Sequence, residues 1–326
     1  MKFDFIEELE QLQVERKNSL FPFLAYDPQD YQRDFHMSRC PERWLIGANQ
    51  IGKTIGGAAE VIGFGTGVHP ATHELLPDWK PNRIIRACGD TFQHGIEEII
   101  VPELCSMLHP SQYEYAPLKH KMDVKGPRGK FRIQFRTYDQ ELKAHAGQRL
   151  DMVWFDEEPP RDVYAENRKR LIRQHGKIIG TMTPDSGITW TYQDVFMDAK
   201  NKGSSREVFG AEMIENDYLR LEQIKLLMKD LAPEELAAGA QGIYASLTGL
   251  VYPEFNRNVH IIEPFAVARH WNICVGIDHG LNNPTAALVL AISPDDAVYV
   301  VREYVSTSRA AYDNACVIKE IVEREF

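Results

Sequence analysis

Apolar positions along the chain change spacing several times, and each change predicts an element. Phe5, Ile6, Leu9, Leu12 and Val14 recur near helical spacing, predicting an amphipathic helix over residues 1–20 that ends at Phe21-Pro22. Arg43-Trp-Leu-Ile46 is a short, mostly apolar, strand-like run, and Ile55-Gly-Gly-Ala-Ala-Glu-Val-Ile62 has the small and apolar residues of a buried helix. Residues 82–89 read as a strand, 91–108 as a helix stopped by His109-Pro110, and 130–136 alternate as a strand with one buried face. The runs 150–156 and 176–183 are further strands, 206–212 a short one, 217–240 helical, and 242–255 a connector containing glycine and aromatics. Strands alternating with helices predict an α/β fold with a mainly parallel central sheet.

Between the first strand and its helix lies Gly47-Ala-Asn49-Gln50-Ile51-Gly52-Lys53-Thr54, which fits G-x-x-x-x-G-K-[ST]. Backbone N–H groups of such a turn, with the positive end of the following helix, cradle a β-phosphate. Gly47, Asn49, Gln50, Ile51 and Gly52 are therefore the candidate nucleotide-binding residues, Lys53 the cation for the β- and γ-phosphates, and Thr54 the Mg²⁺ ligand. A glycine turn with a surface lysine is the plainer alternative. Gln32, a short way upstream, is a candidate for reading both the donor and the acceptor edges of adenine, although most glutamines simply face solvent.

A second landmark is the apolar run that ends in Asp156-Glu157-Glu158-Pro159-Pro160. A buried parallel strand delivers acids in this way to its carboxyl edge, where ligands bind in open α/β sheets. One acid is neutralised by the metal while another stays free as a base, so Asp156 is the candidate Mg²⁺ ligand and Glu157 the group that deprotonates the attacking water. Glu158 is the lesser candidate for either role. The strand at 176–183 ends instead in hydroxyls, where Thr181 or Thr183 is placed to respond to the γ-phosphate. A Thr-Pro exit is also an ordinary way to stop a strand.

Composition narrows the setting. Hydrophobic residues make up 44% of the 326, ample for a large core, and runs such as 286–292 are too short to cross a bilayer. The acidic N-terminus is unlike a signal peptide, and the five cysteines form no C-x-x-C pair, so cytosolic thiols and no membrane association are expected. A formal net charge of −10 argues against a generally basic, nucleic-acid-coating surface. Local candidates for DNA contact are residues 128–132 with Arg136, and the cluster from Arg161 to Arg173.

The phosphate loop with Trp44 ahead of it, the run 153–160 and Thr183-Pro184 together resemble the large terminase subunit of tailed bacteriophages, with motif order and spacing alike over nearly the whole chain. The resemblance implies an ASCE-type P-loop ATPase and then a ribonuclease-H-like nuclease. It divides the chain into an N-terminal helical segment (1–25), the ATPase domain (26–205), a linker or lid region (206–262) and an incomplete nuclease domain (263–326). By the same resemblance Gln32 corresponds to the adenine-reading glutamine and residues 181–183 to the coupling motif. Arg149 is the candidate arginine that completes an ATP site, with Arg136 and Arg33 as alternatives. In the nuclease part Asp278 is the candidate metal-bridging carboxylate and Glu303 a second ligand. The family's later acidic residues have no counterpart after Tyr304, so DNA cleavage by this chain alone is not expected.

The function expected is an ATP-driven DNA-packaging motor that uses ATP and Mg²⁺ to move double-stranded DNA. Its expected partners are a portal protein, a small terminase subunit and copies of itself in a ring, at the procapsid portal in the host cytoplasm. The rivals are a helicase-like ATPase and a nucleotide-binding assembly module that does not turn ATP over.

Overall fold

A computed structural model describes residues 20–231, 235–244, 257–280, 284–307 and 309–325. The helix expected over 1–20 lies outside these residues but for Leu20, as does most of the connector expected at 242–255. The chain divides into two compact units, Met1–Val251 and Tyr252–Phe326.

The first unit is built on an eight-stranded sheet. Five of its connections are parallel, joining β5 (Gly129–Thr137), β2 (Ile84–Gly89), β6 (Met152–Asp156), β7 (Lys177–Met182), β1 (Glu42–Ile46) and β8 (Arg206–Phe209) in that spatial order. The mainly parallel sheet expected from the sequence is therefore present. The strands β1 and β6 are buried at every position, as in a sheet covered on both faces. Trp44 of β1 stacks on Phe155 of β6 across the intervening β7, with ring centroids 6.3 Å apart.

On the other face lies α2 (Lys53–Thr66), whose small residues allow a close approach to the sheet. A Cβ at Gly57 would stand 2.3 Å from the indole of Trp154, so the helix needs a residue without one there. Preceding it, α1 (Asp30–Met37) packs beside the phosphate loop, the helical stretch Phe92–Ile100 runs on into α3 (Val101–Ser106), and α4 (Arg161–Leu171) follows β6.

Two features depart from the sequence reading. At the β5 edge, β3 (Tyr113–Ala116) and β4 (Lys121–Gly126) add an antiparallel extension that was not predicted. Met122 and Val124 alternate with Lys121, Asp123 and Lys125, so half of this hairpin was readable as a half-buried strand. The boundary drawn at 205/206 also moves. Residues 206–209 pair in parallel with β1, and the chain beyond them packs Ala211, Met213 and Ile224 against Ala48 and Ile51 of the phosphate loop. That region includes α5 (Leu221–Asp230) and belongs to the first unit.

The second unit holds an antiparallel sheet of β9 (Asn272–Asp278), β10 (Thr285–Ile292) and β11 (Val298–Ser306), with β10 central. Thr285, Ala287, Val289 and Ala291 alternate as the buried face of β10. Within α6 (Ala311–Glu325), Ile318 is buried and Asn314 donates to the Thr285 hydroxyl at 3.1 Å. In the sequence β10 shows as the apolar run 286–292.

Candidate active site

Strand order assembles the site. Since β7 lies between β1 and β6, the phosphate loop leaving β1 and the acids ending β6 emerge at the same carboxyl edge, with Thr181 paired to Leu45 on one side and Asp156 on the other. The loop itself turns through two left-handed residues, Gln50 at φ 59° and Gly52 at φ 72°. Neighbouring side chains hold its carbonyls. Tyr31 donates to Ile51 O at 2.8 Å, Gln32 Nε2 to Gly52 O at 2.8 Å and Asn216 Nδ2 to Gln50 O at 2.5 Å. The N–H groups of Gln50 and Ile51 have no protein partner among the described residues, which leaves them as donors for an anion.

Lys53 is buried, and its ammonium donates to Ala48 O at 2.7 Å. Burial lowers its pKa, opposed by the nearby carboxylates of Glu157, Asp156 and Asp185. One oxygen of Asp156, Oδ1, accepts from the Thr54 hydroxyl at 3.2 Å and the Thr181 hydroxyl at 2.8 Å. Burial pushes the Asp156 carboxyl up to about 6, against the pull of those two hydroxyls and of Lys53. A hydroxyl and a carboxylate brought together beside a buried ammonium are the donor set for Mg²⁺ on a nucleotide, so the residues present fit that ion.

Glu157 breaks the strand. Its φ of 63° turns the side chain out of β6, while its own N–H still donates to Thr181 O at 2.7 Å. The Thr183 N–H donates to Glu157 Oε2 at 3.0 Å, and burial pushes this carboxyl up to about 7 despite Lys53 and that hydrogen bond. A buried carboxyl near neutrality has the properties of a general base. Behind the turn, the buried hydroxyl of Tyr138 lies 2.9 Å from Asp156 O and 3.0 Å from Glu157 O. Glu158 faces elsewhere and accepts from Thr189 and Thr191.

The candidates thus separate. Lys53, Thr54, Asp156, Glu157 and the loop from Gly47 to Gly52 converge. Thr183 joins them by bridging to the loop, its hydroxyl donating to Asn49 Oδ1 at 2.9 Å. Gln32, expected to read adenine, is buried with both amide ends engaged: Oε1 accepts from Gln29 N at 3.0 Å, and Nε2 holds Gly52. It braces the loop in this conformation. Arg149 is exposed and precedes β6, at the opposite edge of the sheet from the loop, so it stands apart from its own subunit's site. The alternatives Arg136 and Arg33 are bonded to local carbonyls and, for Arg33, to Asp27. In the second unit Asp278 pairs with Ala286 and Glu303 with Leu288, two residues further along β10. The two acids therefore share one face of the sheet with a strand between them. No cluster of three or more metal-ligating side chains occurs among the described residues.

Sequence reasoning missed Tyr31, Asn216 and Tyr138. Each acts on a backbone carbonyl from far along the chain, a relationship that no local motif encodes.

Comparison with known proteins follows the same outline. A family model described as the terminase large subunit, T4likevirus-type, N-terminal, matches residues 44–248. The terminase large subunit of Salmonella phage P22 is 26% identical over 343 residues, covering 93% of this chain and 68% of that protein. The large terminase of a thermophilic bacteriophage has a similar fold, with a TM-score of 0.58 at 14% identity over 90% of this chain and 74% of that one. Its ADP and ATP-gamma-S complexes also match, with TM-scores of 0.57 and 0.54. The large terminase ATPase domain of Thermus phage P74-26 matches with a TM-score of 0.56 at 17% identity, over 69% of this chain and 96% of that one.

Proposed function

Because the chain belongs to the terminase large subunit family, we propose that its first unit hydrolyses ATP and couples that hydrolysis to movement of double-stranded DNA into a procapsid. The observation that carries this reading is the convergence of Lys53, Thr54, Asp156 and Glu157 at one sheet edge around a loop with free N–H donors.

In this reading the loop N–H groups and the Lys53 ammonium bind the phosphates, and Thr54 and Asp156 hold Mg²⁺. When bound, the ion neutralises charge on the phosphate oxygens. Glu157 orients a water and takes its proton. Thr183, bonded to both Glu157 and the loop, links the state of the phosphates to the base. The exposed Arg149 serves a neighbouring copy's site, which makes a ring of subunits the working form. Its further partners are a portal protein and a small terminase subunit, in the host cytoplasm at the portal. Among the described residues no helix is long and apolar enough to cross a membrane. Asp278 and Glu303 remain the candidate metal ligands of a nuclease face in the second unit.

The test is steady-state ATP hydrolysis by wild type, Lys53→Ala and Glu157→Gln, with and without linear double-stranded DNA. Turnover that requires both residues and rises with DNA supports the motor. ATP binding without turnover in wild type favours an assembly module.

A further inference from the structure

Thr181 lies where the resemblance puts a coupling residue, yet its hydroxyl does not face the phosphate loop. It accepts from Trp154 Nε1 at 2.7 Å and lies 2.8 Å from Asp156 Oδ1. An indole nitrogen is a donor only, so the Thr181 oxygen must be the acceptor in that pair. A hydroxyl has one hydrogen, and with the indole approach taken, that hydrogen goes to the carboxylate; the alternative acceptor, Phe155 O, is 3.4 Å away. The direction of the chain Trp154 to Thr181 to Asp156 is thereby fixed by chemistry alone.

The anchor of the chain is buried and closely packed. Trp154 is fully buried in β6, and its ring fills the space that a side chain at Gly57 would need on α2. The helix that carries Thr54 thus also seats the indole. Asp156 Oδ1 then receives two hydroxyl hydrogens, from Thr54 and from Thr181, which orients the carboxylate. Thr183, by contrast, touches Glu157 and Asn49. Two threonines of one strand exit are directed at different acids.

We propose that Thr181, oriented by Trp154, is a positioning residue that sets the Asp156 carboxylate for Mg²⁺, and that response to the nucleotide's phosphates falls to Thr183. This rests on the reading of the site as a Mg²⁺-nucleotide site. It predicts a defect confined to the metal: the variant should still take up nucleotide without the ion, and should need more Mg²⁺ to reach the tight complex.

The experiment measures binding of a fluorescent ATP analogue to the full chain across a Mg²⁺ titration and in EDTA, for wild type, Thr181→Val, Thr181→Ser and Trp154→Phe. The Mg²⁺ concentration for half-maximal binding should rise about tenfold in Thr181→Val and about threefold in Trp154→Phe, with Thr181→Ser near wild type and EDTA binding unchanged throughout. An unchanged Mg²⁺ requirement in Thr181→Val overturns the proposal. So does altered discrimination between ATP and ADP analogues with an unaltered Mg²⁺ requirement, which would make Thr181 the sensor. A purely structural role would lower thermal stability in the variants without moving the Mg²⁺ midpoint. If Thr181→Val does not fold, Trp154→Phe decides, since it keeps the Thr181 hydroxyl and removes the indole donor that orients it; the void it leaves in the core lowers thermal stability but does not by itself raise the Mg²⁺ midpoint. Failure of wild type to bind the analogue at any Mg²⁺ concentration would overturn the reading of the site itself.

Discussion

The Thr183 N–H donates to Glu157 Oε2 at 3.0 Å while its hydroxyl donates to Asn49 Oδ1 at 2.9 Å, so one residue touches both the candidate base and the phosphate loop. Thr183→Val keeps the N–H and the shape but frees Asn49, loosening the side that sets where the base sits. A hydrogen bond of this kind contributes about 1 kcal/mol. We expect kcat for ATP hydrolysis to fall about tenfold with KM nearly unchanged, about 1.4 kcal/mol in the barrier. A raised KM at constant kcat would assign Thr183 to nucleotide binding instead.

Acid stability should depend on a group outside the site. Glu60 of α2 is buried between Arg43, at 2.7 Å, and His36, also at 2.7 Å. Burial alone would push its carboxyl up, but Arg43 and then His36 hold it at about 2 instead of 4.5. A carboxyl whose folded pKa is depressed stabilises the fold fully above its unfolded pKa, and that contribution is lost as pH falls from about 4.5 toward about 2. Glu60→Gln leaves the buried Arg43 without its counter-charge, which costs about 3–5 kcal/mol at neutral pH. Urea denaturation at several pH values should show the variant less stable at pH 7 and with a shallower loss across that acid range. A variant as stable as wild type at pH 7 would contradict this.

How far the site could be read from sequence depended on how local its parts are. The phosphate loop and Asp156-Glu157 are contiguous motifs bounded by apolar strands, so both the residues and the sheet edge they share were legible. For Gln32 the sequence leaves two roles open, because a buried amide that braces Gly52 and caps its own helix has the same sequence signature as one that reads a base. The place of β8 was hidden too: Arg206–Phe209 is short and carries charges, and only its pairing with β1 brings it into the sheet. Likewise β10 has a plain alternation of buried positions, but its central place comes from partners on both sides. Long-range pairing decided what local pattern left open.

The contact of Gly57 with Trp154 gives a stability test with a functional echo. Alanine at an ordinary helix position is better than glycine by about 1 kcal/mol. Here its Cβ would stand 2.3 Å from the indole, and the fully buried ring has a hydrogen bond to Thr181 to keep. Overpacking of this kind costs about 1–3 kcal/mol. Gly57→Ala should therefore lower stability by about 1 kcal/mol net of the helix-propensity gain, read by urea denaturation with tryptophan fluorescence. A stabilised variant would mean that the ring moves freely and that the niche is not rigid.

The last prediction concerns Arg149, whose position makes it useless to its own subunit. The extended strand β6 lies between it and Asp156, roughly 20 Å of chain at about 3.3 Å per residue, further than an arginine side chain reaches. If it completes an ATP site, that site belongs to a neighbour, and the consequence is a complementation experiment. Arg149→Ala subunits keep an intact site but lack the donated cation, whereas Glu157→Gln subunits keep the cation but lack the base. Each alone should be nearly inactive under conditions where subunits associate, since a donated arginine contributes about 10³-fold or more. Mixed, the Glu157→Gln subunit supplies its arginine to the Arg149→Ala site, and steady-state hydrolysis should recover to about a quarter of wild type for random neighbours. Binding of an ATP analogue by the isolated Arg149→Ala subunit should be unchanged. An inactive mixture would remove Arg149 from the neighbouring site, and full activity of Arg149→Ala by itself would remove it from catalysis.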